Sequence, residues 1–174
     1  MLSGGVAVVV DSFDDRAATW DDPDKTARAR AVADAITRAV PLDGSERLLE
    51  YGAGTGLVAG FLAGSVAAIT LADPSAGMRE VARGKVESGV LPATTRVWDL
   101  NLDLSAPPAE VFDLIVTVMA LHHVAGLPAV LSGFAAMLAD GGHLCIVDLE
   151  EEDGSFHDDP GVAVHSGFGE SSLV

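Results

Sequence analysis

The chain has 174 residues, enough for one domain with a substantial core. Apolar residues make up 49% and aromatics only 5%, so that core is built mostly from Ala, Val and Leu. Lys and Arg number 10 against 26 Asp and Glu, a formal charge of −16. Such a field repels phosphate backbones and anionic membranes, so neither nucleic acid nor a membrane is expected as partner; neutral or cationic small molecules are favoured.

The single Cys145 rules out an internal disulfide, fits a reducing compartment and reads best as a small buried hydrophobe on a strand. The amino terminus is apolar but has no basic n-region or cleavage site. No run approaches the ~18 apolar residues that span a bilayer. A cytoplasmic protein is expected.

Along the chain, Asp22-Pro23 is a helix start signal. Ala27, Ala31, Val32, Ala35, Ile36, Ala39 and Val40 recur at helical spacing until Pro41 and Gly44. A strand over 46–51 then runs into a glycine turn at Gly52, Gly54 and Gly56, which opens a helix over 56–63. Bare backbone at the C-terminal end of a strand is where open α/β sheets bind nucleotides. A dinucleotide fingerprint, G-x-G-x-x-G, needs a glycine at 57, and position 57 is Leu. The pattern is instead E-x-G-x-G-x-G, with Glu50 at the strand end. A carboxylate there suits a cationic group and repels a pyrophosphate.

The next strand, 66–72, ends in Asp73, 21 positions after Gly52. That is close to the separation at which a second-strand acid meets a ribose, whose two hydroxyls a carboxylate can accept together. Pro74 and Ser75 open a helix over 75–88 carrying Met78. A strand over 94–98 leads to Asp99-Leu100, with Asn101 and Asp103 close behind. The run over 112–118 is nearly continuous in apolar residues, as a central strand buried on both faces requires. Met119 and the sequence Ala-Leu-His-His-Val (120–124) follow, then a helix over 127–138, a Gly-Gly turn and a strand over 143–149. This alternation predicts an α/β fold: a doubly wound, Rossmann-like, mostly parallel sheet of order 3-2-1-4-5.

The E-x-G-x-G-x-G turn, the Asp73-Pro-Ser-x-x-Met78 segment, Asp99-Leu100 and the 138–148 stretch occur in this order over about residues 46–150. Together they resemble the class I S-adenosylmethionine-dependent methyltransferases of small-molecule type. The resemblance implies S-adenosyl-L-methionine as cofactor and methyl transfer to a small-molecule acceptor. By that resemblance Glu50 holds the methionine ammonium, and Gly52, Ala53 and Gly54 admit the cofactor to the backbone. Asp73 and Pro74 lie at the ribose, Met78, Asp99 and Leu100 at the adenine, and Met119 at the methionyl chain. Residues 11–22, with Phe13 and Trp20, become a lid. His122 and His123 are the candidate bases for an acceptor that must lose a proton, since imidazole titrates in the useful range.

The resemblance implies one domain over 1–174: lid and helix to 44, cofactor-binding core over 45–150, acidic tail over 151–174. It fails at the end, where the family closes its sheet with an antiparallel hairpin. The 25 residues after Leu149 hold no such pair. The fifth strand then becomes a sheet edge, to be covered by a homodimer or another partner. Asp148, Glu150, His157 and His165 match no compact ligand spacing, so no metal is expected. Two further readings stand beside the methyltransferase: a truncated or non-catalytic relative that binds cofactor or a partner without turnover, and a nicotinamide-dependent oxidoreductase, which Leu57 and Glu50 disfavour.

Overall fold

The computed structural model describes residues 12–153, 156 and 163–169. Five strands, β1 Arg47–Tyr51, β2 Ala68–Ala72, β3 Arg96–Trp98, β4 Phe112–Val118 and β5 Leu138–Val147, form one sheet of order β3-β2-β1-β4-β5. Every pairing is parallel, as the alternation of elements predicts. The helices are α1 Pro23–Ala39, α2 Leu57–Leu62, α3 Ala76–Glu87 and α4 Leu127–Met137. Among these residues no helix is long and apolar enough to cross a membrane.

The period of two along each strand sorts the core into two layers. Leu48, Leu71, Leu114 and Val116 face one way and pack with Val32 and Ile36 of α1, Val58 and Leu62 of α2 and Ala82 of α3. Leu49, Tyr51 and Ile115 face the other way, onto Val130, Phe134 and Met137 of α4. β4 is therefore covered on both faces, which is why its sequence shows no polar alternation. Local signals set the helix starts. The Asp22 carboxylate accepts the Lys25 N–H at 2.7 Å with Pro23 in the first turn, and Ser75 Oγ accepts the Met78 N–H at 3.1 Å.

The fifth strand departs from expectation. α4 ends at Met137 and β5 begins directly at Leu138, not after a Gly-Gly turn. Phe112 pairs with Leu138 but Leu114 with His143, so the intervening residues form a bulge within the strand. Gly141, at φ 76°, absorbs the bend. The strand stops at Val147, and Asp148 turns away to a side-chain partner described below. Beyond it, among the described residues, only an isolated bridge between Glu150 and Phe168 continues any pairing. β5 is thus an edge of the sheet, with Leu144 37% exposed.

Candidate active site

Because the sheet is parallel, the C-terminal ends of β1, β2 and β4 lie along one edge, and a cavity of ≈ 630 Å³ opens there. Its wall brings together Glu50, Gly52, Ala53, Gly54, Asp73, Pro74, Met78, Met119, His122 and His123. Of the residues expected there, Asp99 and Leu100 are not brought to it. Leu100 is buried in the core, and Asp99 is exposed with its carboxylate on Arg79 at 3.0 Å. Asn101 and Asp103 line the cavity instead. A turn after β3, in which Leu104 and Ser105 donate to the Asn101 carbonyl at 3.1 and 2.9 Å, sets which acid faces inward.

The glycine turn is sterically required. Gly52 has φ 66°, and a Cβ there would stand 2.4 Å from the Ala120 Cβ. Gly54 has φ 54°; its missing side chain leaves the Trp20 indole nitrogen 3.4 Å and the Met78 sulfur 3.8 Å from where a Cβ would be. The turn is held by Asp73: one carboxylate oxygen accepts the Gly54 N–H and the other the Ser75 N–H, both at 2.8 Å. Each oxygen keeps a second lone pair for a ligand hydroxyl. Burial pushes the Asp73 carboxyl above its ordinary range, against the pull of those N–H groups.

Glu50 is 3% exposed and accepts the Ala59 N–H of α2 at 2.8 Å. Burial pushes its carboxyl up to about 8, with the Asp73 charge adding to the rise and the Ala59 N–H and Lys85 opposing it. A buried acid beside a cavity is poised to ionise when a cation arrives.

At the end of β4, Met119 adopts φ 54°, the one non-glycine residue with positive φ among those described. Its N–H donates to the Val147 carbonyl at 2.7 Å. Just beyond, His122 Nδ1 lies 2.5 Å from Asp148 Oδ1, with side chains 1% and 3% exposed. Asp148 also accepts the Leu121 and Leu149 N–H groups at 2.8 Å. Burial raises the Asp148 carboxyl, but the His122 and Leu149 hydrogen bonds outweigh it and hold the group below the usual carboxylate range. The His123 ring lies against His122, tilted by 48° with centroids 3.9 Å apart. Sequence reasoning did not pair Asp148 with His122. The usable signal was an acid ending an apolar strand of a parallel sheet, the same placement as Glu50 and Asp73.

Asp148 is thereby committed to His122, and His165 Nε2 lies 2.9 Å from the Val124 carbonyl oxygen. His157, the other imidazole weighed as a metal ligand, lies outside the described residues. The Val164 and His165 N–H groups donate to the His122 carbonyl at 2.8 and 2.9 Å, so this stretch packs against the histidine loop.

Residues 12–16 are helical, and a 3-10 turn spans Ala17–Thr19. This segment is pinned to the core at two points. Asp14 accepts the Ser75 hydroxyl at 2.5 Å and the Gly77 N–H at 2.9 Å, bonds that hold its carboxyl below the usual range. Asp21 accepts the Thr55 hydroxyl and pairs with Lys85 Nζ at 2.6 Å. Phe13 meets Trp20 and His123 edge-on, at 5.7 and 5.1 Å between centroids. Phe13, Trp20, Arg16, Lys25 and Arg28 all reach the cavity wall.

A family profile described as a methyltransferase domain matches residues 25–168. An uncharacterized methyltransferase of Schizosaccharomyces pombe is 28% identical over 141 residues, covering 73% of this chain and 50% of that protein. The chain thus spans about half the length of the curated relative it matches. Among solved structures, the DhpI–SAH complex aligns with a TM-score of 0.71 at 23% identity, over 85% of this chain and 71% of that one. YcgJ from Bacillus subtilis aligns with a TM-score of 0.61 at 24% identity, over 68% and 50% respectively. With the profile matching over residues 25–168 and the sheet order that the motifs predict, this chain belongs to the methyltransferase-domain family, in its class I S-adenosylmethionine-dependent group.

Proposed function

We propose that the cavity at the ends of β1, β2 and β4 binds S-adenosylmethionine and that the chain transfers its methyl group to a small-molecule acceptor. The observation that carries this reading is the Gly52–Gly54 turn locked to α3 by Asp73. It leaves a side-chain-free cleft between Trp20 and Met78 with acids at both strand ends. Those residues fit the cofactor: Glu50 the ammonium, Asp73 the ribose hydroxyls, Met78 the purine, Met119 the methionyl chain. Asp103 or Asn101 takes the adenine-edge role expected of Asp99, since these two line the cavity.

When bound, S-adenosylmethionine supplies a methyl group activated on a sulfonium. The protein's part is alignment and exclusion of water. Phe13 and Trp20 roof the site, and Met119 sets the floor at the end of β4. Where the acceptor has a labile proton, His122 or His123 takes it.

The test is calorimetric titration with S-adenosylhomocysteine of the wild type, Asp73→Asn and Asp73→Ala. Micromolar binding by the wild type that falls at least about 10-fold in both variants is expected, since charged hydrogen bonds are lost. A folded wild type that does not bind would end this reading.

The open β5 edge supports a second reading, in which the chain binds cofactor or a partner without turnover. That edge is also where a second copy or a partner strand would pair.

A further inference from the structure

Met119, at φ 54°, leads into a 3-10 turn of three residues, Leu121–His123, and this stretch forms the cavity wall at the end of β4. The turn closes on itself through the His123 N–H to the Ala120 carbonyl at 3.1 Å and the Val124 N–H to the Leu121 carbonyl at 3.0 Å. So short a turn leaves polar backbone groups at both ends outside its own ladder. Both ends are met from far along the chain. At the start, Val147 accepts the Met119 N–H at 2.7 Å and Asp148 the Leu121 N–H at 2.8 Å. At the finish, the Val164 and His165 N–H groups donate to the His122 carbonyl at 2.8 and 2.9 Å. His165 Nε2 lies 2.9 Å from the Val124 carbonyl oxygen. A carbonyl only accepts, so Nε2 carries the proton and donates.

The stretch 163–168 is itself anchored. The Phe168 N–H donates to the Leu149 carbonyl at 2.9 Å and the Glu152 N–H to the Ser166 carbonyl at 2.8 Å. The Phe168 side chain packs against the core layer that faces α4, with its ring 5.5 Å from that of His165. Gly167, at φ 83°, lets the chain pass Glu150, whose carbonyl oxygen would stand 2.0 Å from a Cβ there. Among the described residues that line the cavity, none comes from 163–168. This segment touches the site only from behind.

We propose that residues 163–168 are a clamp and His165 a positioning residue, which by holding the His122 and Val124 carbonyls fix the wall that carries Met119 and His123 for the ligand. A non-glycine backbone in the left-handed region persists only where its surroundings over-determine it. Val147 and Asp148 supply one half of that constraint, and the clamp supplies the other. The clamp stands on the contacts of the fold. That the ligand it serves is S-adenosylmethionine rests on the methyltransferase reading.

The experiment uses the full chain as wild type, His165→Leu, His165→Gln and Gly167→Ala. Leucine removes the donor, glutamine returns an N–H donor at a similar reach, and alanine at 167 pushes the clamp off Glu150. Arg47→Gln is the control, because it breaks the Arg47–Asp113 pair at the opposite end of β1 from the cavity. Calorimetric titration with S-adenosylhomocysteine gives the affinity, and the methionine methyl resonances report the wall. Met119 lines the cavity, while Met137 is buried in the core and serves as internal reference. His165→Leu and Gly167→Ala are expected to shift the Met119 methyl, leave that of Met137 in place and weaken binding several-fold to about 10-fold, the range of one lost hydrogen bond. His165→Gln restores both readings, which a plain loss of stability would not allow. Wild-type affinity in both His165→Leu and Gly167→Ala overturns the clamp. So does a loss that Arg47→Gln shares, or one that glutamine fails to restore. If Gly167→Ala does not fold, the contrast between leucine and glutamine at 165 decides. A folded wild type that binds no S-adenosylhomocysteine, but whose Met119 methyl moves with leucine and returns with glutamine, keeps the clamp and removes the methyltransferase reading. An unmoved Met119 methyl in that case removes both.

Discussion

At Gly52 two constraints coincide: a left-handed backbone, and an Ala120 methyl 2.4 Å from where a Cβ would sit. Gly52→Ala is expected to destabilise the fold by about 2 kcal/mol or more, from backbone strain plus overpacking. The urea midpoint would fall with m unchanged; an unmoved midpoint would refute the steric account. Glu50 makes a different prediction. Its folded carboxyl is pushed up to about 8 while the unfolded one titrates near 4.5. The folded state therefore holds a proton that the unfolded state releases. Stability from this group is fully present below pH 4.5 and is lost as pH rises toward 8. Glu50→Gln should remove that loss, flattening the pH dependence by at most about 1.4 kcal/mol per pH unit between those limits. Melting curves of both proteins without ligand measure it, and parallel profiles would contradict a buried protonated acid. Glu50 and Asp73 were legible in the sequence because each ends a strand that its apolar run defines. Three acidic or amide side chains follow β3 within five residues, 99–103, and the turn geometry, which the sequence does not show, puts Asn101 and Asp103 on the cavity wall in place of Asp99.

Elements were legible wherever a terminus carries its own chemical signal. Asp22-Pro23 and Pro74-Ser75 fix the starts of α1 and α3, and both caps form. β5 had no such signal. Gly141 and Gly142 read as a turn, yet pairing with β4 is strong enough to carry the ladder past them as a bulge. Residues 12–22 lack periodicity, so their place on the cavity wall is not legible in the sequence; their anchors, Asp14 and Asp21, look like ordinary surface acids. They define an element-scale prediction. Asp14→Asn weakens the tie to Ser75 and Gly77, so S-adenosylhomocysteine should leave several-fold to about 10-fold faster while its association rate changes little. Stopped-flow fluorescence reports this directly, because Trp20 lies on that segment. An unchanged dissociation rate would mean the lid does not govern release.

For the whole molecule, the alternation of strands and helices sufficed for the sheet order, because right-handed crossovers leave few alternatives. What no pattern could give is the use of each cavity wall, since side chains from residues 12–22, α1, the ends of β1, β2 and β4, the turn after β3 and the histidine loop meet only after folding. β5 brings a prediction at this scale. An edge strand with Leu144 exposed pairs readily with another strand. Light scattering over a dilution series should give a mass of two chains, falling to one when Leu144 is replaced by Lys. A monomer at every concentration would rule out self-pairing.

Met119 sits in a backbone conformation that glycine would occupy without steric cost, and a residue with a side chain there gives up about 1–2 kcal/mol. Selection for thermal robustness alone would have placed glycine at this position. Keeping a thioether against the cavity sets durability against ligand fit at a single residue. An engineer seeking a hardier version of this protein would find a gain at a residue that lines the pocket.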